Sequence, residues 1–179
     1  IYGDFKLKKI LMLSLGMACG MTAQAALDDY LPAAKFKPHM DSLKTAYVGL
    51  GMTDRLAHGN AELVTPYGIA YGKVGVFTNG EDMGVQAGFR YPYHLTGTDQ
   101  NGYYIGAFLG HTENAKVDNE QIQRLGAGVD LSYVMLNAQR ISTLSVGLKF
   151  SERLTGRYGT EVPADPELQF AYTLSFGVF

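Results

Sequence analysis

Leu168-Gln169-Phe170-Ala171-Tyr172-Thr173-Leu174-Ser175-Phe176-Gly177-Val178 sorts its side chains into two sets. Leu168, Phe170, Tyr172, Leu174, Phe176 and Val178 are apolar and occupy even positions. Gln169, Ala171, Thr173, Ser175 and Gly177 are small or polar and occupy odd ones. Successive side chains of a strand point to opposite faces, so a period of two marks a strand between two different media.

The same sorting recurs upstream. Leu144, Val146, Leu148 and Phe150 oppose Thr143, Ser145, Gly147 and Lys149. Leu125, Ala127, Val129, Leu131 and Tyr133 oppose Arg124, Gly126, Gly128, Asp130 and Ser132. Val85, Ala87, Phe89, Tyr91 and Tyr93 oppose Gly84, Gln86, Gly88 and Arg90. Segments 43–53, 68–77 and 103–112 alternate less cleanly and are glycine-rich. An eighth strand is expected over Leu56 to Val64, with Ala57, Gly59, Ala61 and Leu63 outward and His58, Asn60 and Glu62 inward. The competing count places a strand in 30–40 and makes 54–67 a loop. Asn79-Gly80 and Asn101-Gly102 carry turn chemistry. The expected fold is all-β: an eight-stranded antiparallel up-and-down barrel over 42–179, with a short connection at 136–140 and a long one at 153–166.

Composition limits the function classes. The 179 residues include 22 Gly, 12 Tyr and 9 Phe, with no Trp and one Cys. One Cys excludes a disulfide scaffold and a zinc ribbon. The formal charge of −2 gives no basic footprint for nucleic acid. No window reaches the ~18 uncharged apolar residues of a transmembrane helix.

The N-terminal end reads as a targeting segment. Lys6, Lys8 and Lys9 precede an apolar run from Ile10 to Met21, and Ala23-Gln24-Ala25 supplies small residues for cleavage. This is the pattern of a secretory signal peptide. Residues 1–25 are expected to be upstream residues plus that signal, and 26–41, with Pro32 and Pro38, an irregular periplasmic lead-in. Gly16-Met17-Ala18-Cys19 has the outline of a lipoprotein box, but Gly16 stands where an apolar residue is expected. Cleavage after Ala25 removes Cys19 and leaves an exported chain that cannot mispair.

Alternation by itself does not say which face meets water. Three features favour an apolar exterior in a membrane. The polar faces are crowded with Gly, Ala, Ser and Thr, which suit a cramped interior. Tyr91, Tyr93, Tyr103 and Tyr133 fall near strand ends, as an aromatic girdle requires. The chain closes on Phe179 directly after its last strand. With these features the mature chain resembles the small outer-membrane β-barrel proteins of Gram-negative bacteria, of the OmpX/OmpA transmembrane-domain kind. The resemblance covers 41–179 and rests on architecture. It implies termini in the periplasm and an outer-membrane location. Its implied partners are outer-membrane lipid and lipopolysaccharide, with Phe179 part of the C-terminal signal read by the barrel-assembly machinery. The apolar ladder runs on even positions to Val178, so Phe179 stands out of phase with it.

On this reading Leu144, Val146, Leu148, Phe150, Leu168, Phe170, Tyr172, Leu174, Phe176 and Val178 face lipid. The lumen receives Glu62, Lys73, Arg90, Arg124, Asp130 and Lys149. Eight strands leave an interior just wide enough for side chains, and unpaired charges there are costly. An ion-pair network is therefore expected, with Tyr47 and Tyr71 packed beside it. The leading function is a structural, surface-interacting barrel with a filled lumen. The alternatives are a narrow channel or conduit for small hydrophobic molecules, and a soluble periplasmic lipocalin-like ligand binder.

No catalytic constellation emerges. His39, His58, His94 and His111 have no evident nucleophile partner, and Ser151, two residues beyond Lys149, is the one nucleophile to test for a lipid A-modifying enzyme. Gly49-Leu50-Gly51 and Gly126-Ala127-Gly128 lie inside strands, with no helix N-terminus to hold phosphate. No cofactor or metal is expected; Glu161, Asp165 and Glu167 read as solvated loop acids.

Overall fold

The computed structural model describes residues 41–79, 82–96, 100–117, 120–155 and 161–179. Residues 1–40, which hold the expected signal peptide of 1–25, the expected lead-in, Cys19 and His39, lie outside the described residues.

Eight antiparallel strands close into a barrel. They are β1 (Ala46–Thr53), β2 (Leu56–Thr65), β3 (Gly68–Phe77), β4 (Met83–Leu95), β5 (Gly102–Val117), β6 (Glu120–Leu136), β7 (Arg140–Ser151) and β10 (Glu167–Gly177). Each pairs with its neighbours in sequence, and β1 closes the ring against β10, from Tyr47↔Gly177 to Thr53↔Ala171. The segment 56–65 is a strand, so the alternative of a loop over 54–67 is overturned: Ala57, Ala61 and Leu63 are exposed while His58, Asn60 and Glu62 are buried. Thr53 stabilises the turn before it, its Oγ1 accepting from the Leu56 N–H at 2.8 Å.

Two features differ from the sequence expectation. First, β5 and β6 run 16 and 17 residues. Their mutual pairing extends to Val117↔Glu120, while β4 leaves β5 at Gly110 and β7 leaves β6 at Gly126. His111 therefore does not end its strand; the hairpin continues past the barrel rim. Second, the long connection after β7 holds a two-residue hairpin, β8 (Leu154–Thr155) with β9 (Glu161–Val162).

Every barrel strand turns large apolar side chains outward, among them Leu50, Leu63, Val74, Phe89, Leu109, Leu131, Leu148 and Phe170. The interior is mixed. At the end where β1 begins and β10 finishes, Tyr47, Val64, Ile69, Tyr104, Val134, Leu136 and Ile141 form an apolar cluster, with Leu43 and Leu95 against it. The Tyr47 hydroxyl donates to the Asn137 carbonyl at 2.8 Å, and that of Tyr104 to Gln100 at 2.6 Å. Both phenols thus bury their rings without stranding a donor. From this plug toward the opposite end the interior becomes polar.

Space for the interior side chains comes from inward-facing glycine. A Cβ on Gly88 would stand 2.5 Å from the Tyr71 ring, and one on Gly128 would collide with the ring of Phe108. Glycine at these two positions lets the aromatic rings lie flat across the lumen.

Candidate functional site in the barrel lumen

The polar lumen contains two charge clusters. The deeper one is built on β2, β3, β4 and β10. Arg90 Nη1 lies 3.5 Å from Glu62 Oε2. The other carboxylate oxygen, Glu62 Oε1, accepts from Asn60 Nδ2 and from the Ser175 hydroxyl, both at 2.7 Å. The Arg90 guanidinium lies 4.0 Å from the Tyr71 ring centroid, and Lys73 Nζ lies 5.0 Å from it. Tyr71 thus offers its π face to two cations. Tyr47 stands opposite Glu62 in the β1–β2 register, with its ring in the apolar plug.

The second cluster lies toward the opposite end. Lys149 Nζ is fully buried and lies 3.3 Å from Glu167 Oε2, 3.7 Å from Asp54 Oδ2 and 3.9 Å from Glu113 Oε2. Glu113 also pairs with Arg124. Arg124 donates through Nε to the Glu152 carbonyl at 2.8 Å and through Nη2 to the Pro163 carbonyl at 2.6 Å. It thereby ties both ends of the long connection to the barrel wall. Arg55, half exposed, joins Asp54 at 3.6 Å and Glu167 at 4.0 Å.

All six charges named from sequence lie inside the wall. Glu62, Lys73, Arg90, Arg124 and Lys149 are buried. Asp130 is half-buried, accepts from Ser132 at 2.5 Å, and lines a small cavity with Lys73. Those six alone comprise two acids and four bases. The missing acids are Glu113, Asp54 and Glu167. Glu113 was hidden by a bulge between His111 and Glu113 that reverses strand parity, so Thr112, Glu113 and Asn114 are all buried. Glu167 opens β10 and turns toward Lys149, so its reading as a solvated loop acid is corrected; Glu161 and Asp165 are exposed. Of the outward set, Leu144, Val146, Leu148, Phe150, Leu168, Phe170, Tyr172, Phe176 and Val178 are exposed, and Leu174 is half-buried. Phe179 follows the last strand with its side chain exposed, while its carbonyl accepts from the Thr45 N–H at 2.7 Å.

The candidate catalytic residues are not brought together. Ser151 shares a hydrogen bond with Thr112 at 2.8 Å. Both ring nitrogens of His58 are buried without a hydrogen-bond partner. His111 Nδ1 accepts from the Val85 N–H at 3.2 Å. Among the described residues no three His, Cys, Asp or Glu side chains are grouped to hold a metal ion.

No family model, curated protein or solved structure matches the chain. Function must therefore be argued from the barrel itself.

Proposed function

We propose that the chain is an outer-membrane β-barrel protein of the Gram-negative envelope, with a structural role in the wall and a surface role at its loop end. The observation that carries this reading is the inverted placement of polarity. A barrel surrounded by water keeps its apolar residues inside, and a barrel surrounded by lipid turns them out and encloses the polar ones. Here Leu50, Leu109, Leu144 and Leu168 are 74%, 66%, 62% and 61% exposed, whereas Arg90, Lys149 and Glu62 are 1%, 0% and 0% exposed. An exposed apolar surface on every strand far exceeds the few hundred Å² that a soluble monomer tolerates. Tyr93 and Tyr103, near the end where β1 begins and β10 finishes, suit the interface between hydrocarbon and headgroups.

The filled lumen supports a sealed barrel over a conduit. Apolar side chains close one end, and ion pairs crowd the other. Lipid and lipopolysaccharide then cover the outer wall, and the β5–β6 hairpin and long connection form the surface face. The C-terminal strand with Phe179 serves as the signal to the assembly machinery.

Fractionation and conductance test the reading together. The protein should stay in the membrane pellet through a high-salt wash and leave it only in detergent. Reconstituted in planar bilayers, it should give no current steps above background. Release by salt alone would return the soluble ligand-binder reading. Resolved current steps would return the channel reading.

A further inference from the structure

Between the two charge clusters lies a cavity of about 10 Å³, lined by Lys73, Gln86, Asp130, Ser145 and Gln169 among others. We propose that it is a site for one ordered water molecule, which accepts a hydrogen bond from Lys73 Nζ and donates to Gln86 Oε1 and Gln169 Oε1. The size fits, since a single water needs about 10–15 Å³ measured this way. The chemistry fits as well. Gln86 is 1% exposed and Gln169 6%, and the Oε1 of each has no hydrogen-bond partner. The Gln86 Nε2 donates to the His111 carbonyl at 2.9 Å, which leaves its oxygen as the open group. Gly147, opposite Gln169 on β7, also lines the cavity. Lys73 is 7% exposed and, among the described residues, has no carboxylate within ion-pair distance. Its ammonium has three N–H donors and no acceptor, whereas the two amide oxygens only accept. A water is the one small molecule that supplies an acceptor to the first and donors to the other two.

The same groups argue against an ion. Lys73 already provides the positive charge that a metal cation would bring. Two amide oxygens and the Asp130 carboxylate would repel an anion. The water joins the paired strands β3 and β4 to β10 across the middle of the barrel, a connection that main-chain pairing does not make. It does not depend on which solvent bathes the outer wall.

A crystal structure of the purified protein, at a resolution that shows ordered water, tests the site directly. One density peak within hydrogen-bond distance of Lys73 Nζ, Gln86 Oε1 and Gln169 Oε1 is expected. Crystals soaked in rubidium or bromide should show no anomalous peak there. An anomalous peak, or no density at all, would overturn the proposal. Thermal unfolding gives an independent reading. If the water is present, Gln169→Leu removes one of its partners and lowers Tm by about 2–4 °C or more, the scale of one lost bond in a chain of this size. An unchanged or raised Tm in Gln169→Leu would overturn the proposal. Should Gln169→Leu not fold, the crystallographic reading of the unaltered protein still decides.

Discussion

Arg90 and Glu62 stand on β4 and β2, strands that do not pair, yet their side chains meet inside the barrel at 3.5 Å with both 1% exposed. The contact is a brace through the lumen. It is independent of the main-chain ladders, and it carries Asn60, Ser175 and Tyr71 with it.

Glu62→Ala is expected to cost about 3–5 kcal/mol, because it leaves a buried guanidinium without its carboxylate. Arg90→Met should cost a similar amount for the converse reason. The double variant Glu62→Ala with Arg90→Met should lie much closer to the parent than the sum of the single losses, since neither charge is then stranded. Urea unfolding in detergent micelles measures all three. Additive losses would mean that the two side chains act separately.

Lys149 differs from Arg90 in the exposure of its partners. Side chains of Asp54 and Glu167 are 29% and 42% exposed, while Glu113 is 9% exposed. Lys149→Met removes the cation that three carboxylates share, leaving Glu113 to Arg124 and the other two to the half-exposed Arg55, and salt reaches those two. The loss should be roughly 2–4 kcal/mol at low ionic strength and should shrink in 1 M NaCl, where the screening length falls to about 3 Å. The loss in Glu62→Ala should not respond to salt, because that pair is sealed. Equal salt dependence in the two variants would contradict the division of the lumen into a sealed and a partly open cluster.

Val146 faces outward near the middle of β7 and is 41% exposed. In a bilayer, Val146→Arg should cost about 2–4 kcal/mol. In water the same change on a surface strand stays within about 0.5 kcal/mol. Reversible folding into lipid vesicles gives the comparison.

The barrel was legible because its wall separates two environments. Wherever a strand borders both, as at 142–150 and 168–178, parity reports the wall directly. Parity also carried the inward charges, since Glu62, Lys73, Arg90, Arg124, Asp130 and Lys149 sit on regular stretches of strand. It failed where the wall stops or the strand is irregular. The bulge at Thr112 reverses the faces and hid Glu113. Beyond it, β5 and β6 pair only with each other and carry polar side chains such as Asn114, Lys116, Gln121 and Gln123, where no contrast of media imposes a pattern. The apolar plug was hidden for a different reason. Leu63-Val64 and Val134-Met135-Leu136 are apolar on both faces, so alternation fades where the lumen itself is apolar. Glu167 meets Lys149 as its cross-strand partner at the start of β10, and Asp54, just after β1, reaches Lys149 only because β1 closes the ring against β10.

The central claim is that lipid covers the outer wall, and spin-label accessibility along β7 tests it most directly. Labels placed one at a time at residues 142–150, with the protein in lipid vesicles, report collision with oxygen and with a polar nickel chelate. The account predicts that labels at 144, 146, 148 and 150 collide freely with oxygen and scarcely with the chelate, while labels at 143, 145, 147 and 149 are shielded from both. Free collision of the chelate with the even-numbered labels would place water against the apolar face and contradict the account.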